Sequence, residues 1–302
     1  ILPDVSPDAT DQFSVQPRYE KNLNARSTDD DRDFLFDEDP CEDLNNDGLI
    51  TLIRVYDPSG TYIECPDDKR VMVPADLSKG EKGSFLVYSE GTDNDDDGSF
   101  NEDGPGSVNF NRNLTFNYEE FGPGAGLHPV SEPETKAVLD FLFDHFNIYT
   151  TIAFGPQDNL GQVTKQNERS AVVNPDPQAP GPDQRQSSSR NRERKITTIL
   201  KSDEIISKLV SEEYRKITGI KDPQPSKSSP GNFLDWSYYH YGRYSFSTPG
   251  WFFPVEKDKN TGVSFLKYAA ENKMDDVFTP WTEIKHPDFP GKKVEAGGMK
   301  PF

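Results

Sequence analysis

The stretch SEPETKAVLDFLFDHFNIYTTIAF, Ser131 to Phe154, decides the fold class of this chain. Its first part carries Ser131 and Glu134 in capping-box spacing, and Pro133 stands where a first helical turn tolerates it. The apolar residues that follow fit a helix. The second part, NIYTTIAF (Asn147 to Phe154), is an unbroken β-branched and apolar run. Such a run reads as a strand buried on both faces, as in a parallel sheet covered by helices. Further on, SDEIISKLVSEEYRKITG (202–219) reads as an amphipathic helix, with Ile205, Leu209 and Ile217 on one face and Gly219 as its terminator. Strand–helix alternation of this kind predicts an α/β fold with a mixed, mostly parallel sheet.

The rest of the chain is less regular. It has 302 residues with 25 prolines and 22 glycines, a length that suits one large domain or two small ones. The formal charge of −19 excludes nucleic acid as a natural partner, because a phosphate backbone needs a basic face. It also argues against docking on anionic lipid by charge alone. No apolar run approaches the ~20 residues of a membrane-spanning helix. No signal peptide is visible and Ile1 is not a methionine, so the chain reads as processed or truncated. Cys41 and Cys65 flank a segment whose halves TLIRVYD and TYIEC, joined by Pro-Ser-Gly, read as a hairpin. A disulfide across that loop and two buried thiols are both open readings, and the first needs an oxidising compartment. SVNFNRN (107–113) reads as a strand end. The polar NPDPQAPGPDQRQSSSRNRER (174–194) reads as a surface loop.

Acid is concentrated between residues 27 and 106, in a pattern that repeats. DDDRDFLFDED (29–39) and DNDDDGSFNED (93–103) each place acids at relative positions 1, 3 and 5 and a Phe at position 8. Asp43, Asn45, Asp47 and Gly48, with Ile50 at position 8, form a partial third copy. Alternating carboxylate and amide oxygens around a tight turn suit a hard cation such as Ca²⁺. The candidate ligands are Asp29, Asp31, Asp33, Asp43, Asn45, Asp47, Asp93, Asp95 and Asp97. An EF-hand is excluded, since Arg54 and Gly104 stand where its bidentate Glu belongs. A solvated acidic loop is the plainer alternative.

SPDATDQF near the start, VNFNRN, the SEPET helix with its strand, and DWSYYHYGRYSF (235–246) together resemble the zinc carboxypeptidases of peptidase family M14. The resemblance spans most of Leu2 to Thr248. The Asp-rich loops and the ending WTEIKHPDFPGKKVEAGG look like those of secreted bacterial members. It implies a single domain over 1–302, with an acidic insertion at about 27–106 and a mixed, mostly parallel eight-stranded sheet flanked by helices. It also implies zinc held by H-x-x-E and a later His, with a Glu on a late strand as general base.

Position by position, that chemistry is missing. Too little chain precedes SPDA (6–9) to hold H-x-x-E. The later His falls on Gly155, and the general base falls on Pro249. No tyrosine lies in QPSKSSPGN (224–232), where the family caps its substrate. Only Arg26 is a candidate for the arginine that polarises the scissile carbonyl. What remains is Asn111 and Arg112, matching the family's carboxylate clamp, and Leu234 and Asp235, matching the floor of its side-chain pocket. His128, His145, His240 and His286 form no sequence-local ligand pair, and Glu295 is a weak candidate for a displaced base.

Three functions follow from the resemblance. One is a catalytically inactive binding or assembly subunit recognising a protein partner or a peptide C-terminus. A second is an active zinc carboxypeptidase whose H-x-x-E lies in a preceding segment. The third is a calcium-stabilised module of an outer-membrane protein complex. All three imply an extracytoplasmic location: periplasm, outer-membrane surface or secreted.

Overall fold

The computed structural model describes residues 1–19, 22–27, 29, 34–96, 98–101, 106–162, 199–221, 223, 226, 229–256 and 259–301. The polar loop at 174–194, together with Asp31, Asp33 and Asp97, lies outside the described residues.

The helix-then-strand reading of Ser131–Phe154 holds, with shifted ends. Helix α1 spans Pro7–Gln12, and helix α2 spans Pro133–Asp144 with Pro133 in its first turn. The N-cap of α2 is Glu132 rather than Ser131, and its side chain makes no capping bond. Glu132 is instead buried and held by others: Asn24 Nδ2 donates at 2.7 Å and Arg26 Nη1 at 2.8 Å. The SVNFNRN segment is a 3₁₀ turn over Phe110–Arg112, not a strand end, because Asn109 Oδ1 accepts from Asn111 N at 2.7 Å and curls the chain.

Eight strands occur among the described residues, but they do not form one parallel sheet. Strands β1 (Leu52–Tyr56), β2 (Tyr62–Glu64), β3 (Met72–Pro74), β4 (Phe85–Ser89), β7 (Phe278–Ile284) and β8 (Val294–Met299) make an antiparallel sheet of order β3-β2-β4-β1-β8-β7. Only β5 (Thr150–Phe154) and β6 (Tyr244–Thr248) pair in parallel. The expected mostly parallel eight-stranded sheet is therefore overturned. The cause is connection length: parallel neighbours need a crossover of a dozen or more residues. Between β5 and β6 run helices α3 (Lys201–Thr218) and α4 (Phe233–Tyr239), whereas β1 to β4 are joined by short links. The acidic region thus contributes four strands of the larger sheet.

The expected hairpin between TLIRVYD and TYIEC does not form either. β4 lies between β1 and β2, with Phe85 opposite both Tyr56 and Tyr62. Two glycines permit this crossing. A Cβ on Gly60 would come within 2.4 Å of the Phe85 backbone, and one on Gly83 within 2.1 Å of the Gly60 oxygen. No disulfide joins Cys41 and Cys65, and Cys65 packs with Val71, Phe253, Phe265 and Leu266, the last two on helix α5 (Thr261–Glu271).

The antiparallel sheet alternates as its sequence does. Ile53, Val55, Val294 and Ala296 are buried on one face under Tyr88, Phe100 and Phe289. On the other face Arg54 pairs with Glu295 at 2.7 Å and Glu64 at 3.2 Å and lies over the Trp281 ring. A separate core joins α2 to α4 through Leu114, Leu139, Leu142, Trp236 and Tyr241. The two predicted apolar faces fare worse. Ile152 and Phe154 on β5 are 65% and 78% exposed, so this strand is not buried on both faces. Ile205, Leu209 and Ile217 on α3 are exposed, while Gly219 ends the helix in the left-handed region as expected.

Candidate functional site

Parallel sheets present ligands beyond the carboxyl ends of their strands. Here the N–H of Gly155, one residue past β5, donates to the Thr248 carbonyl at 3.1 Å. Gly155 and Pro249 therefore end two neighbouring strands side by side. Neither side chain carries an atom able to bind a metal or accept a proton.

The 3₁₀ turn delivers Asn111 to the same place. Its Nδ2 donates to Gln157 Oε1 at 3.1 Å, and its Oδ1 accepts from Phe233 N, the first residue of α4, at 2.9 Å. Gln157 Nε2 donates to Ser229 Oγ at 3.2 Å, and Ser229 Oγ to the Asn111 carbonyl at 3.3 Å. Asn232 caps α4 by accepting from Asp235 N, and its amide donates to Asp235 Oδ2 at 2.8 Å. Burial raises the Asp235 carboxyl above the usual carboxylate range, against the downward pull of that amide. Leu234, beside it on α4, is half-buried.

Arg112 follows Asn111 in the turn and is less constrained. It is 34% exposed, and its Nη1 lies 3.7 Å from Glu119 Oε2, a long surface contact of small energy. The arrangement around Asn111 is one of amides, hydroxyls, a guanidinium and the buried Asp235 carboxyl. Gln157, Ser229, Asn232 and Ser247 belong to it and were not singled out from the sequence. The signal that could have found three of them was the polar content of FGPQDNL and SSPGN beside strand and helix ends.

The other candidates are committed elsewhere. Arg26 is paired with the buried Glu132. Glu295 sits in β8 against Arg54 and Lys293. Burial pushes its carboxyl up, and the two cations outweigh this and hold it below the usual range. A carboxylate held low is a poor base. His286 is buried, bonded through Nε2 to the Gly91 carbonyl and packed on Phe289. His145 stacks on Phe141. The His240 Nδ1 bonds Thr115 Oγ1, and burial lowers its imidazole below the usual value. His128 is exposed, bonded to the carbonyl of Pro129.

The acidic loops share one geometry in three places. Gly48 N donates to Asp43 Oδ2 at 2.7 Å, Gly98 N to Asp93 Oδ2 at 3.0 Å, and Phe34 N to Asp29 Oδ2 at 3.3 Å. The donor is five residues on each time, and each has a left-handed φ: +81°, +90° and +79°. Asn45 and Asp47 bend into the middle copy, where Asp47 N donates to Asn45 Oδ1 at 2.8 Å. The anchors at position 8 differ, since Ile50 is buried, Phe100 packs on the sheet and Phe36 is exposed. A buried carboxylate braces two of the loops: Asp39 accepts from Asn101 N, and Glu90 from Asn45 N. The donor set fits a hard cation in one further respect, for Asp29 Oδ1 and Asp93 Oδ1 are buried without a hydrogen-bond partner among the described residues. Among those residues no three His, Cys, Asp or Glu side chains close on a single point, with Asp31, Asp33 and Asp97 outside them. Asp95 lies within the third loop, half-buried.

No helix among the described residues is long and apolar enough to cross a membrane. Comparison of the chain with family models, with curated proteins and with solved structures finds no match.

Proposed function

We propose that this chain, which resembles the zinc carboxypeptidases in its sequence motifs and differs from their sheet, binds a peptide C-terminal carboxylate without cleaving it, as a binding or assembly subunit outside the cytoplasm. One observation carries the reading. Gly155 and Pro249, the positions where the resemblance calls for a metal-binding His and a catalytic Glu, stand together at the ends of adjacent parallel strands, with Asn111 beside them. Hydrolysis of a peptide needs an activated water and a base to take its proton. These two residues supply neither, and zinc does not fit them. Asn111 and Arg112 retain hydrogen-bond donors, and Arg112 gives up only a weak surface contact to take an anion. Calcium belongs to the same proposal, as an ion that orders the acidic loops and takes no part in chemistry.

The test uses fluorescein-labelled alanine pentapeptides with a free or an amidated C-terminus. Binding of the free form should weaken roughly 10- to 100-fold in Arg112→Ala, the range for lost charge-assisted hydrogen bonds. The amidated form should bind no better than that variant binds the free one. Equal affinity for both peptides would sink the reading. Stoichiometric zinc with chelator-sensitive release of the terminal residue would replace it with an active enzyme.

A further inference from the structure

Strand β5 is left bare where its partner is not. In register, Ile152 stands beside Phe246 and Phe154 beside Thr248. Phe246 and Thr248 are 5% and 2% exposed, whereas Ile152 and Phe154 are 65% and 78% exposed. Helix α3 packs on this face at β6, where Tyr214 Oη lies 3.2 Å from Thr248 Oγ1, and leaves the two β5 side chains uncovered. The opposite face is closed, with Thr151 Oγ1 bonded to Ser237 Oγ of α4. Among the described residues β5 has β6 as its one strand neighbour, so its outer edge is open. Phe146 and Tyr149, just before the strand, are 68% and 77% exposed. A sheet of two strands is marginal on its own, and parallel strands normally have both faces covered. Edge strands are usually protected by lysine, proline or a bulge. This one is not: from Phe146 to Gly155 there is no charged residue and no proline, in a chain of net charge −19.

We infer that β5 pairs with β5 of a second copy of this chain, antiparallel about a two-fold axis normal to the sheet, so that four strands run across the dimer. Charge favours an identical occupant. Acidic surfaces of two such chains repel, but this edge brings no like charges together. A charged strand from another protein would find no counter-charge along it. On α3, Glu204 and Glu213 are paired with Lys208 and Lys216, and Arg243, just before β6, is held by the carbonyls of Ile148 and Phe146. The area is also sufficient. Phe146, Tyr149, Ile152 and Phe154 expose on the order of 600 Å² per copy, at roughly 150–250 Å² for each large side chain. Pairing removes about 1,200 Å² from water in total, the lower end for a stable interface, before the ladder hydrogen bonds of an added strand. With the axis normal to the sheet, Ile152 and Phe154 of both copies lie on one face and cover each other. None of Asn111, Arg112 and Asp235 takes part, so the pairing does not depend on peptide binding.

Sedimentation velocity of the full chain between about 1 and 100 µM, the weak range for an interface of this size, tests the pairing. A dimer that dissociates on dilution is expected. Ile152→Lys places a charge on a side chain that is exposed in the single chain and desolvated in the dimer. It should weaken association at least about 100-fold, and Phe154→Lys should do the same, with circular dichroism and melting at the dilute end unchanged. Leu77→Lys, at an exposed leucine in the 3₁₀ turn Leu77–Lys79, should leave the dimer intact. A monomer at about 100 µM would overturn the pairing and assign the edge to another segment or another protein. A dimer that survives both β5 variants would overturn it by placing the contact elsewhere.

Discussion

Asp235 shows how a single buried charge sets a local pH dependence. Burial raises its carboxyl in the folded chain, so the ionised form is disfavoured there relative to the unfolded chain. For an acid shifted upward, the favourable contribution is complete below the unfolded value and is lost as pH rises through the folded one. At neutral pH the charge therefore costs stability. Asp235→Asn keeps an oxygen for the Asn232 amide and removes that charge. The variant should melt higher at pH 7, and the gain should disappear as pH falls below the value of the unfolded carboxyl. A lower melting temperature at pH 7 would show that the amide bond to the ionised form outweighs burial. Phe34 illustrates the opposite kind of residue: its left-handed φ of +79° suits glycine, which the other two acidic loops have at the same place.

At the level of elements, β1 is the member that joins the acidic region to the C-terminal strands. Its register sets Arg54 opposite Glu295 on β8 and leaves Ile53 and Val55 for the core. Arg54 also reaches Glu64 on β2 and covers the ring of Trp281 on β7 at 4.5 Å, so one side chain ties four strands together. Truncation to alanine leaves Glu64 without this partner and weakens the hold on Glu295. Arg54→Ala should lose about 2–3 kcal/mol in urea unfolding. Arg54→Lys should recover only part of this, because an ammonium cannot make the forked contact or stack on the indole. Full recovery by lysine would show that charge alone matters.

For the whole molecule, the acidic loops and the sheet are one system. Phe100 from the third loop lies in the sheet's core beside Tyr88, and the buried Glu90 at the end of β4 holds Asn45 of the middle loop. Any ion that orders the loops will therefore stabilise the larger sheet by linkage. Millimolar Ca²⁺ should raise the melting temperature by several degrees, EGTA should reverse it, and Asp93→Asn with Asp43→Asn should abolish it. An unchanged melting curve across calcium concentrations would leave these loops as solvated acidic turns.

Much of the site was legible in the residues themselves. Helix α2 and strand β5 followed from apolar pattern, and the spacing of the acids anticipated loops that repeat with a donor five residues on. That Gly155 and Pro249 carry no ligand or base atom is also a property of sequence, since no fold can give a glycine or a proline a ligand side chain. Sheet organisation was not legible in this way. A strand's pattern reports which faces are apolar and says nothing of its neighbour, so β4 could slip between β1 and β2 only because Gly60 and Gly83 let backbones touch. Nor could periodicity reveal that Ile152 and Phe154 stay exposed, because apolar character favours burial but cannot supply a covering element. The closeness of Asn111, Gly155 and Ser247 is a tertiary fact alone: it exists because a 3₁₀ turn and two strand ends, far apart in the chain, meet at one point.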